Sequence, residues 1–78
     1  MIPHEWLVLD SEQIHKVKYV PNKHDLRGDV LVEFRTGKQY RFKDVQAHKI
    51  ERVVHASSPG TVFHEIIRGQ HDSEAYSE

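Results

Sequence analysis

A chain of 78 residues has room for one domain with a modest core, too little to enclose a large active site. It has no cysteine, which removes disulfide frameworks, thiolate metal centres and cysteine nucleophiles, so packing must hold the fold. The formal net charge of −1 conceals an asymmetry: all eleven Lys and Arg lie between Lys16 and Arg68, where six acids leave an excess of +5, whereas both ends are acidic.

The chain predicts a small α+β domain over residues 1–69: an antiparallel sheet of three to four strands (about 5–9, 14–20, 30–34 and 38–43) with two C-terminal helices (about 45–56 and 59–68) packed on one face. Trp6 to Leu9 reads as an edge element that forms a fourth strand, covers the sheet edge or pairs with another subunit, with Trp6 packing onto the core as the simplest outcome. Ile14 to Val20 follows as a strand with Val17 and Tyr19 on one face and Lys16 and Lys18 on the other. Pro21 ends it, Asn22 to Gly28 reads as a polar loop, and Val30, Val32 and Phe34 share a face of the next strand.

The hairpin register follows from matching faces. A two-residue Thr36-Gly37 loop would set Val32 against Arg41. A three-residue loop, Arg35-Thr36-Gly37, sets Val32 opposite Tyr40 and Val30 opposite Phe42, with Gly37 supplying positive φ. Tyr40 and Phe42 then point into the core, while Lys16, Lys18, Glu33, Arg41 and Lys43 share the other face. Asp44 is the expected cap of a first helix with Ala47, Ile50, Val53 and Val54 as its apolar stripe and His48, Lys49, Arg52 and His55 outside. Ser58-Pro59 opens a second helix, which buries Val62, Phe63, Ile66 and Ile67 and stops at Gly69. Residues 70–78 are polar and acidic and predict a disordered tail.

This order resembles the KTSC domain, a module found alone in bacterial and phage proteins and appended to some lysyl-tRNA synthetases. Trp6 to Ser11 is similar to the family's opening tryptophan and Asp-Ser step, and Ile14-x-x-Val17-x-Tyr19 to its first strand. Leu31-Val32-Glu33-Phe34-x-x-Gly37-x-x-Tyr40-Arg41-Phe42 resembles its central hairpin, and Ala56 to Gly60 with Phe63 to Arg68 its helical end. Phe42 replaces the usual second tyrosine, Glu12 stands where a second serine is common, and the loop from Pro21 to Gly28 is longer. The resemblance implies the fold, and the synthetase fusion implies contact with RNA. Trp6, Tyr19, Phe34, Gly37, Tyr40, Phe42, Gly60 and Phe63 carry the structural motif.

The residues themselves point to a basic sheet face that binds nucleic acid, because phosphate contacts supply most sequence-independent affinity. Lys16, Lys18, Arg41 and Lys43 form it, with His48 and Arg52 added from the first helix. Seven histidines are many for this length, yet no His-Glu-x-x-His pair exists and His48 and His55 are two turns apart, so no metal site or other cofactor is expected. Ser11, Ser57 and Ser58 lack a nucleophile elbow, and no phosphate-binding glycine loop occurs, so the expectation is not an enzyme. The alternative is a protein-interaction or small-ligand module, self-associating through a sheet edge. Trp6-Leu7-Val8-Leu9, the longest apolar run, is too short to span a bilayer and has no basic signal-peptide flank, which leads to the expectation of a cytoplasmic protein with no membrane partner.

Overall fold

The computed structural model describes residues 2–22 and 26–76. Five antiparallel strands follow one another in chain order across a single sheet: β1 (Leu7–Val8), β2 (Ile14–Pro21), β3 (Arg27–Phe34), β4 (Gln39–Gln46) and β5 (Ser73–Ala75). Between β4 and β5 run α1 (Ala47–His55), α2 (Pro59–Phe63) and a π-helical segment (His64–Arg68) that continues α2. Alternation places Val17 and Tyr19 of β2, Val30 and Val32 of β3, and Phe42 and Val45 of β4 in the core. There they meet Ile50 and Val53 of α1, with Phe63 and Ile67 after them. Both helices therefore cover one face of the sheet and leave the other open.

The β3–β4 turn has the three-residue register: Val32 pairs with Tyr40 and Val30 with Phe42. Gly37 adopts φ 91° with open space around it, so its conformation, not crowding, calls for glycine. The expected loop is shorter than its composition suggests, because β3 already begins at Arg27, opposite Gln46 of β4. Residues 23–25 of that loop lie outside the described residues.

Asp44 does not cap α1. It is the extra residue of a bulge in β4, since Gly28 pairs with Val45 and Val30 with Phe42, and it takes φ 57°. Aspartate tolerates that left-handed backbone better than most residues. The strand runs on to Gln46, and the first helical amide, that of Ala47, donates to the Leu26 carbonyl at 2.9 Å. A backbone partner from the β3 entry thus replaces the expected side-chain cap.

The segment expected as a disordered tail returns to the sheet. Ala75, Glu74 and Ser73 pair with Tyr40, Arg41 and Phe42 of β4. All three are exposed, so the strand owes nothing to apolar burial; it satisfies backbone groups that the β4 edge would otherwise leave to water. Residues 77 and 78 lie outside the described residues. At the other edge, β1 pairs with β2 through Leu7↔Val17 and Val8↔Lys16, and Pro3 O accepts from Tyr19 N at 2.7 Å.

The connection between β1 and β2 is clamped to the β3–β4 turn and lies against the start of α2. Arg35 Nε and Nη2 donate to the Ser11 and Leu9 carbonyls at 3.0 Å each. Ser11 Oγ accepts from the amides of Gln13 and Ile14 at 3.2 Å each and lies against Gly60. The Asp-Ser step and the Pro-Gly turn, far apart in sequence, therefore meet in one contact, and the Ser11 hydroxyl serves that turn.

Candidate functional site: the open face of the sheet

Strand alternation projects Lys16 and Lys18 of β2, Asp29, Leu31 and Glu33 of β3, and Gln39, Arg41 and Lys43 of β4 away from the helices. The register lines up Lys18, Leu31 and Arg41 across three strands. Leu31 is only 4% exposed although no helix covers it. The aliphatic stems of its two long cationic neighbours can shield it while their charged ends stay in water.

Acids interleave with these cations. Arg41 pairs with Asp29, its Nε donating to Oδ2 at 2.6 Å, and Lys43 Nζ lies 3.4 Å from Glu74 of β5. Glu33 accepts from Gln39 Nε2 at 2.9 Å and from His15 Nδ1 at 2.5 Å. Hydrogen bonds from Gln39 and then His15 hold its carboxyl below the usual range, with nearby Lys16 acting in the same direction. Lys18 has no ion pair among the described residues.

Trp6 lies on this face, a position not expected from the sequence. Its ring sits beneath Lys16 Nζ, 4.7 Å from ring centre to nitrogen, and it is half-buried outside the core cluster. The signal was present in the alternation of Trp6, Leu7, Val8 and Leu9. Leu7 and Leu9 turn toward the core, so Trp6 and Val8 must face the other way.

The structure brings Lys16, Lys18, Arg41 and Lys43 onto one surface but separates His48 and Arg52 from them. Both are exposed on α1, whose Ile50 and Val53 pack against the covered face, so they point from the opposite side of the domain. Phe42 and Tyr19 are buried, whereas Tyr40 and Phe34 are only half-buried at the edge of the core.

Among the described residues no three His, Asp or Glu side chains are placed to share a metal ion. Desolvation, and then a neighbouring cation, Arg68 for His64 and Lys49 for His71, lower the pKa of two histidines below the usual imidazole value. Lys49 Nζ donates to His71 Nε2 at 2.9 Å and Arg68 Nη1 to His64 Nδ1 at 3.4 Å, arrangements that protonation would turn into repulsion. Because both folded-state values are depressed, their stabilisation is complete above the unfolded value of about 6.5 and is lost progressively as pH falls from there through the lower folded-state values. The melting midpoint should therefore drop between pH 7.5 and 5.5, and His64→Gln with His71→Gln should shrink that drop. A midpoint that rises on acidification would contradict the assignment.

No helix among the described residues is long and apolar enough to cross a membrane. A search of curated proteins finds no match. A family model described as the KTSC domain matches residues 10–71, from the Asp-Ser step through the β2–β4 meander to the end of the helical region. With most of its length inside that match, the chain belongs to the KTSC domain family.

Proposed function

We propose that this domain is a non-catalytic accessory module that binds single-stranded nucleic acid, specifically RNA, across the open face of its sheet. The observation that carries the reading is the Trp6 ring under Lys16 on a face without helices, with Lys18 and Arg41 alongside. An aromatic surface beside cations suits a base stacked next to its own phosphate, a sequence-tolerant mode of single-strand recognition. The occurrence of the family beside lysyl-tRNA synthetase points to RNA. Asp29, Glu33 and Glu74 offset part of the charge, so binding should be modest and strongly salt-dependent.

The test is fluorescence anisotropy of a labelled single-stranded RNA pool across a salt series, with Trp6 emission as an internal probe. Trp6→Ala should weaken binding by about tenfold or more, the usual worth of one base–aromatic stack. Lys18→Glu should flatten the log–log salt slope by about 0.7 for each phosphate left without its cation. Lys18 is chosen over Arg41 because reversing Arg41 would set two acids together at Asp29. Absence of binding by the unaltered protein at low salt would sink the reading.

A protein-interaction module is the second reading, favoured by Val8, 64% exposed on the two-residue edge strand β1. Such an interface would respond little to salt, which separates the two.

A further inference from the structure

At the end of the β3–β4 hairpin, between the turn and the π-helical segment, lies a groove of about 440 Å³ on the helix side of the sheet. That size falls within the range of small-ligand sites. Phe34 and Tyr40 form its aromatic part, with ring centres 5.8 Å apart in an edge-to-face arrangement and both rings half-buried. Arg35, Lys38 and Arg68 bring three cations to the lining against one acid, Glu12. None of the three cations is ion-paired among the described residues.

The arginine over the aromatic floor is positioned by a relay. Arg68 Cζ stands 5.5 Å from the centre of the Phe34 ring, and its Nη1 donates to His64 Nδ1. A guanidinium can only donate, so Nδ1 carries the lone pair and the neutral ring keeps its proton on Nε2. That proton can go only to an acceptor, and Gln13 Oε1 is the atom placed there. Gln13, His64 and Arg68 thus form one directed chain ending in a cation at the groove. Arg35 is fixed independently by its bonds to the Leu9 and Ser11 carbonyls. The relay runs along a π-helical segment, a local geometry that recurs at functional sites.

An uncharged aromatic ligand would leave these cations without a partner, and a bare anion would leave the Phe34–Tyr40 surface wet. We propose that the groove binds a nucleoside monophosphate, its base against Phe34 and Tyr40 and its phosphate on Arg68 and Lys38, taken as a free nucleotide or as the phosphorylated end of a strand. This site lies away from the open face and does not depend on that reading.

The experiment is an amide-spectrum titration of the full chain with adenosine 5′-monophosphate, adenosine and inorganic phosphate in parallel. The nucleotide should shift the amides from Phe34 to Lys38 and from His64 to Arg68. Adenosine and phosphate alone should each bind about tenfold or more weakly, since the first lacks the charge-assisted hydrogen bonds and the second the stacked ring. Arg68→Met should weaken the nucleotide about tenfold, and so should Lys38→Gln at its exposed position, where substitution does not threaten the fold. Lys18→Glu on the open face should leave nucleotide binding unchanged. A chain with 5′-phosphorylated rather than 5′-hydroxyl oligoadenylate as its better ligand takes strand ends, and equal binding of the two identifies the free nucleotide as the ligand, provided the groove amides respond to the mononucleotide. Equal affinity for adenosine and its monophosphate, no response at these amides, or unaltered binding by both groove variants would overturn the proposal.

Discussion

Phe63→Ala is expected to bring the domain to the edge of unfolding. The ring is fully buried and stands where α2 meets the hairpin, edge-on to Phe42 at 5.1 Å and to Phe34 at 6.0 Å between ring centres. Removing it takes away an aromatic core side chain and leaves a cavity between the helices and the sheet, a change that costs about 3–5 kcal/mol. A domain of this length has about 4–12 kcal/mol in total. Thermal melting should show the midpoint falling by about 12 °C or more, at roughly 4–8 °C per kcal/mol. Phe63→Leu should recover much of the loss. A small shift for the alanine variant would mean that the helices are not held to the sheet through this ring.

Gly28→Ala should be the next most damaging change, for a different reason. A methyl group there would lie 2.4 Å from the Val20 carbonyl oxygen, 2.8 Å from Pro21 Cα and 2.9 Å from Tyr19 Cζ. Two of these atoms belong to the backbone of the paired strand, so no side-chain rotation relieves the clash. β2 must move off β3 where Pro21 opposes Gly28, and the Tyr19 hydroxyl would be pulled from the Leu26 and Val45 carbonyls it reaches at 3.4 Å. Overpacking of this kind costs about 3 kcal/mol. Gly37→Ala is the natural comparison: nothing crowds Gly37, so only its left-handed backbone is penalised, by about 1–2 kcal/mol. Equal urea midpoints for the two variants would show that β2 is free to yield.

The two surfaces proposed for ligands differ in how their cations are held. On the open face, Arg41 and Lys43 are engaged by Asp29 and Glu74, and a strand must compete with those acids. In the groove, Arg35 and Arg68 are held by neutral acceptors, carbonyl oxygens and an imidazole nitrogen, which fix direction without cancelling charge. Tyr40 belongs to the second surface. Its ring pairs with Phe34 at the rim of the core, so its loss should cost less than that of Phe63.

The α+β class, the hairpin register, the helix stripes and the inward aromatics were legible from residue order, because each depends on local periodicity and on the rule that paired residues share a face. Val30 opposite Phe42 and Gly37 at positive φ both follow from those rules. What the tertiary structure alone decided involves partners distant in sequence. Asp44 became a bulge residue instead of a cap because the Leu26 carbonyl supplies the helix with an acceptor. Residues 73–75 became a strand because the open β4 edge binds backbone whatever the side chains, so composition carried no sign of it. The basic face proved interleaved with acids, and Gln13, His64 and Arg68 joined in a chain that ends over Phe34, through ion pairs and hydrogen bonds that depend on distances no linear pattern encodes.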